Sequence, residues 1–218
     1  MNELIFLLQI VTVCLGLLGA YKLGSHALVS FICLCAVLSN FFVLKQISLF
    51  GLSVTAADAF VVGVMLALNM LQEKKGEQKA QKAISISFWG LVFYTVVTQL
   101  HLAYTPSAYD TTAWAYTTLL HSMPRLTLAS LAAYFISQKL NIFLYAFARE
   151  RTHRFLLLRN YATLLISQLA DTMLFAFLGL AGLVPNLWTI ILFSFSVKVI
   201  TISLATPCVT LVKRLPLR

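Results

Sequence analysis

An acidic residue lies near the middle of a long apolar segment, residues 161–183. The segment is long enough to cross a bilayer, and a carboxylate at the bilayer centre costs at least ~2.5 kcal/mol on insertion scales. Such a group normally faces a partner or a wet cavity rather than lipid. Asp171 is therefore the first candidate for a functional role.

Two further residues share the helix face of Asp171. Gln168, Asp171 and Phe175 follow one another at intervals of three and four residues, which places them on one side of an α-helix. A carboxylate accepts N–H bonds, a carboxamide both donates and accepts, and an aromatic ring stacks. We therefore expect this face to bind a planar ligand that forms hydrogen bonds.

A basic residue lies at a matching depth in the next apolar segment. Asp171 and Lys198 are each about ten residues from the start of their own segments, which is ~15 Å at 1.5 Å per residue, near the middle of the bilayer. Consecutive spans joined by a short turn are usually neighbours, so we expect a direct or solvent-bridged pair. An interhelical ion pair with only a structural role explains the same residues.

Polar side chains also occur in the other apolar segments. We predict that they form a substrate-binding site together with Gln168, Asp171, Phe175 and Lys198: Asn40, Asn69, Glu73, Gln99, Arg125, Tyr134 and Gln138. Snorkelling to the interface is the simpler explanation of Arg125, and capping or bonding between spans explains Asn69 and Glu73 as well as a site does. We find no metal-ligand spacing, nucleophile motif or phosphate-binding loop. The sequence predicts no metal, no cofactor and no enzymatic activity.

The composition is that of a membrane protein. Hydrophobic residues make up 60% of the 218 residues and charged residues 11%, whereas soluble domains average about 25% charged residues. We predict a single all-α domain over residues 1–218, a polytopic helical bundle of about seven transmembrane helices, with a six-helix core plus an extra N-terminal span. The predicted spans are residues 4–21, 27–44, 52–71, 84–103, 124–147, 161–183 and 188–212.

Two segments outside these spans are each compatible with more than one structure. Residues 73–82 are the most polar stretch of the chain and predict a solvated loop or a helical extension. Residues 111–121 are only moderately apolar, so they predict an interfacial or re-entrant segment.

The net charge of +9 is distributed in short blocks between the apolar segments. In the predicted topology, twelve of the sixteen Lys and Arg residues fall on one side. This asymmetry follows the positive-inside rule and indicates contact with the lipid bilayer rather than with nucleic acid. It predicts an external N-terminus and a cytoplasmic C-terminus, and it leaves open whether the chain forms a homo-oligomer.

Several short stretches, in order along nearly the whole chain, resemble the queuosine precursor transporter family. They are residues 49–52, 73–74 with the Lys-rich run that follows, 124–125, 130, 134, 137–138, 159–160, 167–172, 198–199 and 206–207. The resemblance implies a bacterial inner-membrane importer of 7-deazaguanine bases, namely the 7-cyano and 7-aminomethyl precursors or queuine, for salvage into tRNA modification. It also implies a distant likeness to the substrate-binding subunits of energy-coupling-factor transporters, without their ATPase module.

The resemblance implies roles for the candidate residues. A guanine-like edge offers N–H donors to Asp171 and mixed groups to Gln168, Gln138 or Asn40, while Phe175 or Tyr134 stacks on the ring. Where the family usually has acidic residues, this chain has Asn69, Asn141 and Ala205. The departures leave facilitative and secondary transport both open. The alternatives are a vitamin-binding subunit that depends on an ATPase and a structural membrane protein.

Overall fold

The computed structural model describes residues 1–42, 45–49, 51–120, 124–151, 156–182 and 187–207. The elements in chain order are α1 (Asn2–Leu23), α2 (Ser25–Phe42), β1 (Gln46–Leu49), β2 (Leu52–Thr55), α3 (Asp58–Lys75), α4 (Glu77–Leu102), α5 (Ala113–Leu120), α6 (Pro124–Arg151), α7 (Leu156–Phe175) and α8 (Leu187–Ala205). A π-helical turn, Ala176–Leu180, continues α7.

The helices form a polytopic membrane bundle, which confirms the predicted fold class. Within the described ranges, six helices are long and apolar enough to cross a membrane: α1, α2, α4, α6, α7 with its π-turn, and α8. Helices suit this environment because each satisfies its backbone hydrogen bonds internally, where lipid supplies no partners. The predicted third span corresponds to α3. This helix is not among the six, and it carries four charged residues, Asp58, Glu73, Lys74 and Lys75.

Helix α3 is the centre of the bundle. It packs against α1, α2, α4, α6, α7 and α8, and most of its residues are buried. It approaches α1 so closely that a Cβ at Gly63 would lie 2.5 Å from a side-chain carbon of Val13. Because neighbouring helices separate α3 from lipid, it tolerates an acidic residue near each end, Asp58 and Glu73.

The predicted start of the third span was wrong. Residues 52–55, expected in a helix, form strand β2, which pairs antiparallel with β1. Gly51 has a φ of 78° in the turn between the strands, a conformation that glycine adopts readily. The helix begins only at Asp58, so this residue lies at the N-terminus of α3 and not inside it.

The two segments that were compatible with more than one structure are largely helical. Residues 73–82 belong to the end of α3 and the start of α4, which meet at Gly76 with a φ of 86°. Helix α5 has no buried residue, and at about 1.5 Å per residue it is too short to cross a bilayer. The last span ends at Ala205, earlier than predicted, since the proline at 207 cannot continue the helix hydrogen bonding.

Candidate functional site

Polar side chains follow one another at helical spacing on the facing sides of α3, α6 and α7. These helices all have one end at the same side of the bundle, where α3 ends with Lys74 and Lys75 and α6 ends with Arg149 and Arg151. We refer to this side as the basic end. Going away from it, the polar residues form four layers across the bundle.

The ionic layer, Glu73, Tyr145 and Arg159, lies closest to the basic end. Arg159 donates from Nη2 to Glu73 Oε2 and, over 2.9 Å, to the Tyr145 hydroxyl. The Tyr145 hydroxyl donates to the same Glu73 oxygen over 3.0 Å. Arg159 is only 4% exposed, so the carboxylate supplies the counter-charge that a buried guanidinium requires. The layer joins α3, α6 and α7 at one point.

The asparagine layer, Asn69, Asn141 and Asn160, comes next. Asn141 Nδ2 donates to Asn69 Oδ1 and Asn69 Nδ2 donates to Asn160 Oδ1, each over 2.9 Å. Asn160 Nδ2 in turn donates to the Leu156 carbonyl over 2.9 Å. All three side chains are fully buried. This chain of uncharged amides includes Asn69 and Asn141, two of the positions where the resemblance noted in the sequence implies acidic residues.

The glutamine layer, Gln138 of α6 and Gln168 of α7, lies beyond the asparagines. Both residues are fully buried. Gln168 Nε2 is 3.0 Å from Met65 Sδ of α3, and thioether sulfur is only a weak acceptor. Within the described part of the chain, Gln168 Oε1 and both polar atoms of the Gln138 side chain have no hydrogen-bond partner. A buried polar group without a partner costs about 1–3 kcal/mol, so these amides suit a ligand that supplies one.

The charge-pair layer, Ser137, Asp171 and Lys198, is the furthest of the four from the basic end. Lys198 Nζ donates to Asp171 Oδ2 over 2.8 Å, and Ser137 Oγ donates to Asp171 Oδ1 over 3.0 Å. Lys198 is 5% exposed. The predicted Asp171–Lys198 pair is thus confirmed as a direct contact, and Ser137 is a third member that the sequence did not reveal.

A second carboxylate lies near this pair. Asp58 is 1% exposed, and it interacts electrostatically with both Asp171 and Lys198. Its Oδ2 has no hydrogen-bond partner among the described residues. The sequence placed Asp58 inside a span but did not indicate that α3 begins beside α7 and α8. Among the described residues, no three His, Cys, Asp or Glu side chains are grouped as metal ligands.

Two predicted site residues bond to helices outside the four layers. The Tyr134 hydroxyl is 2.6 Å from Ser87 Oγ of α4. Asn40 of α2 accepts a 2.8 Å hydrogen bond from Ser130 Oγ of α6. Both therefore have partners within the protein, and both join α6 to a neighbouring helix.

Three other predicted residues do not join the layers in the described structure. Gln99 is exposed at the end of α4 and donates to the Leu120 carbonyl over 3.3 Å. Phe175 is half-buried at the end of α7, just before the π-helical turn. The side chain of Arg125 lies outside the described residues, although its backbone is in the first turn of α6.

Comparison with known proteins gives the family. The model of the family described as "Putative vitamin uptake transporter" matches residues 55–212. The "Probable queuosine precursor transporter" of Bacillus subtilis (strain 168) is 32% identical over 185 residues, which cover 84% of this chain and 80% of the relative. No solved structure matches, so the predicted likeness to energy-coupling-factor subunits has no support. The resemblance noted in the sequence is confirmed: the chain belongs to the putative vitamin uptake transporter family, is similar to this queuosine precursor transporter relative, and is a multi-pass membrane protein of transporter type.

Proposed function

We propose that this protein imports queuosine precursors, which are queuine or related 7-deazaguanine bases, across a bacterial inner (plasma) membrane. Transport is facilitative or secondary, the N-terminus is external and the C-terminus is cytoplasmic. The Bacillus subtilis relative supports the cargo by its name. The observation that carries the proposal is the glutamine layer, because three of its four buried side-chain polar atoms have no partner among the described residues and the fourth contacts only a methionine sulfur.

The chemistry of the glutamine layer suits one edge of a guanine-like base. Such an edge presents N–H donors beside a carbonyl acceptor. Gln138 offers both a donor and an acceptor, and Gln168 offers an acceptor at Oε1. A site built to form these bonds rejects analogues that lack them, because its buried polar groups are then left unpaired.

Asp171 contributes from the adjacent layer. Each of its oxygens already accepts one hydrogen bond, from Lys198 and from Ser137. A carboxylate offers about four lone-pair sites, so Asp171 can accept an N–H group of the base while it keeps Lys198. Lys198 holds the negative charge of Asp171 in place and has further protons for a carbonyl oxygen of the cargo.

The ionic and asparagine layers close the path between this site and the basic end. They join α3, α6 and α7 by side-chain hydrogen bonds, and cargo leaving towards the cytoplasm must pass them. Alternating access therefore requires these layers to separate while the glutamine layer keeps its geometry.

The decisive experiment is uptake in a cell that lacks its own queuosine synthesis and its own precursor transporter. The cell expresses this chain and receives each candidate base in turn at low concentration, and queuosine in tRNA is measured. We expect queuosine with at least one base. If none appears although the protein is in the membrane and the salvage enzymes are active, the proposed cargo is wrong.

A vitamin-binding subunit is the second candidate function, because the description of the family model names vitamin uptake. Such a subunit requires an ATPase partner, whereas the proposed carrier works alone. Reconstitution of the purified chain into vesicles separates the two. Uptake of a 7-deazaguanine base without any partner supports the carrier, and uptake of a vitamin only with an added ATPase supports the subunit.

A further inference from the structure

A cavity outside the four layers opens between the starts of α2 and α4. Its volume is about 400 Å³, and it is lined by Ser25, His26, Val29 and Ser30 of α2, Leu71 of α3, and Lys79, Lys82, Ala83 and Ile86 of α4. The lining comes from the first two turns of α2 and the first three turns of α4, so the two helices begin at the same side and run in the same direction. That side is the basic end.

The lining changes from polar to apolar in the same direction on both helices. On α4 it passes from Lys79 and Lys82 to Ile86. On α2 it passes from Ser25 and His26 to Val29 and Ser30, and the Ser30 hydroxyl bonds back to the His26 carbonyl. The two lysine side chains are exposed at the mouth, whereas Leu71 and Ala83 are buried at its floor. A phospholipid has the same order of chemistry, with a charged head followed by acyl chains along the bilayer normal.

The charge of the cavity selects among phospholipids. Its described lining includes two lysines and a histidine but no Asp or Glu. Basic groups at a membrane surface attract anionic lipids, and the free N–H groups in the first turn of α2 favour an anion at the same place. Beyond the head region, Ile86 is 43% exposed, so the cavity is open to lipid at its apolar part.

We propose that this cavity binds one anionic phospholipid. Lys79 and Lys82 hold the phosphate together with the first turn of α2, and the acyl chain lies along Val29 and Ile86. The bound lipid fills the gap between α2 and α4 next to α3 and so stabilises the bundle. None of the residues of the four layers lines the cavity, and the inference does not depend on the proposed cargo.

Lipid retention by the full-length protein tests the proposal. The protein is incubated with vesicles of equal parts phosphatidylglycerol and phosphatidylcholine, extracted in detergent, and examined by native mass spectrometry. We expect one retained phosphatidylglycerol. Retention of no lipid, or of both lipids in the proportion supplied, overturns the proposal.

Matched lysine variants assign the site. Lys79→Gln with Lys82→Gln removes two charges from the cavity, and Lys74→Gln with Lys75→Gln removes two charges from the same connection outside it. A lysine near an anionic surface contributes about a fivefold factor in binding, so we expect about a twenty- to thirtyfold loss for the first pair and little change for the second. Equal losses in the two pairs indicate diffuse attraction and contradict a defined site.

Two further arms separate a lipid from a soluble phosphate compound. Inorganic phosphate and glycerol phosphate are added as competitors, and we expect neither to displace the retained lipid at millimolar concentration. Displacement by either one overturns the assignment to lipid. Ile86→Gln places a polar group on the acyl path, and it should weaken retention while the lysines remain. Unchanged retention in this variant contradicts an acyl chain in the cavity.

Discussion

The asparagine and glutamine layers are neighbours in the bundle, yet they differ in how their amides are satisfied. The three asparagines bond to one another from α6 to α3 to α7, and of their side-chain polar atoms only Asn141 Oδ1 lacks a partner among the described residues. In contrast, Gln138 has no hydrogen-bond partner among the described residues, and Gln168 reaches only a methionine sulfur. Both layers are fully buried, so access to water does not explain the difference.

The difference indicates two roles for buried amides. A chain of side-chain hydrogen bonds between helices fixes their relative position. A buried amide without a partner lowers stability by about 1–3 kcal/mol, and such exceptions in a folded protein call for an explanation. Binding is the explanation that we propose for the glutamines, and holding the helices together is the one for the asparagines. The two roles predict different effects of substitution.

The largest effect is expected at the charge pair. Asp171→Asn removes the counter-charge of Lys198, which is 5% exposed, and breaking a buried ion pair costs about 3–5 kcal/mol. We expect uptake of the base to fall at least about tenfold, because the loss of only about 1.4 kcal/mol of binding free energy lowers the affinity tenfold. Uptake and the amount of protein in the membrane are measured together, with the exposed Asp110→Asn as the control.

A double variant separates pairing from transport at this site. Asp171→Asn with Lys198→Met removes both charges, so it should recover part of the stability lost in the single variant. If Asp171 contacts the cargo, uptake stays low in the double variant. Recovery of uptake together with stability would show that the pair is structural only, which is the alternative that the sequence left open.

Opposite effects on stability are expected in the two amide layers. Gln138→Met removes two buried atoms without partners, so it should leave the melting temperature unchanged or raise it. Asn141→Leu leaves Asn69 without its donor and should destabilise by about 1–3 kcal/mol. Thermal unfolding of the purified proteins without ligand measures both. Equal destabilisation by the two substitutions would contradict the distinction between the layers.

The same two variants should differ in the opposite sense in ligand binding, where Gln138→Met is expected to be the more impaired. A carrier is stabilised by its ligand, by about 2.7 kcal/mol at a concentration one hundred times the dissociation constant. We expect Gln138→Met to lose most of the rise in melting temperature that the base produces. Asn141→Leu should show the full rise, although its melting temperature without ligand is lower. A full ligand shift in Gln138→Met would remove Gln138 from the binding site.

Much of the bundle follows from the sequence, because the length of an apolar segment is a strong signal for a membrane-spanning helix. The depth argument also predicted the contact between Asp171 and Lys198. The helical spacing of residues in the sequence could not show which neighbouring helix each face contacts. Tyr134 and Gln138 are four residues apart on α6, yet Tyr134 bonds to Ser87 of α4 while Gln138 lies between the asparagine and charge-pair layers. In a bundle where α6 contacts α3, α4 and α7, one face serves several partners.

The hairpin before α3 was missed for a different reason. A short apolar run such as residues 52–55 fits a strand or a helix equally well, and length alone does not decide. The error moved Asp58 from the helix start to its interior and concealed its approach to Asp171 and Lys198. The partners of Asn69 were hidden as well, since Asn141 and Asn160 are 72 and 91 residues away in the chain.

A smaller effect is expected in the ionic layer, which extends the comparison to a charged network. Glu73→Gln keeps a hydrogen-bond acceptor but leaves Arg159, which is 4% exposed, without its counter-charge. Hydrogen bonds to charged groups contribute about 1.5–3 kcal/mol, and part of this is lost. We expect a lower melting temperature and an unchanged ligand shift. Glu77→Gln, at an exposed site, is the control, and a lost ligand shift in Glu73→Gln would place Glu73 in the binding site.

The smallest effect is expected at Tyr134, which the sequence placed among the substrate-binding residues. Its hydroxyl bonds to Ser87 Oγ, and Ser87 also donates to the Ile84 carbonyl. Tyr134→Phe removes one hydrogen bond, keeps the ring, and leaves Ser87 with a remaining acceptor, so the cost should be about 0.5–1.5 kcal/mol. Because the hydroxyl bonds to α4 rather than to the glutamine layer, uptake should stay within about twofold of the original protein. Tyr134→Leu supplies the contrast, since it removes the ring as well. Loss of uptake in Tyr134→Leu but not in Tyr134→Phe would assign to the ring the stacking role that the family resemblance implies, whereas loss in both would place the hydroxyl itself in the site.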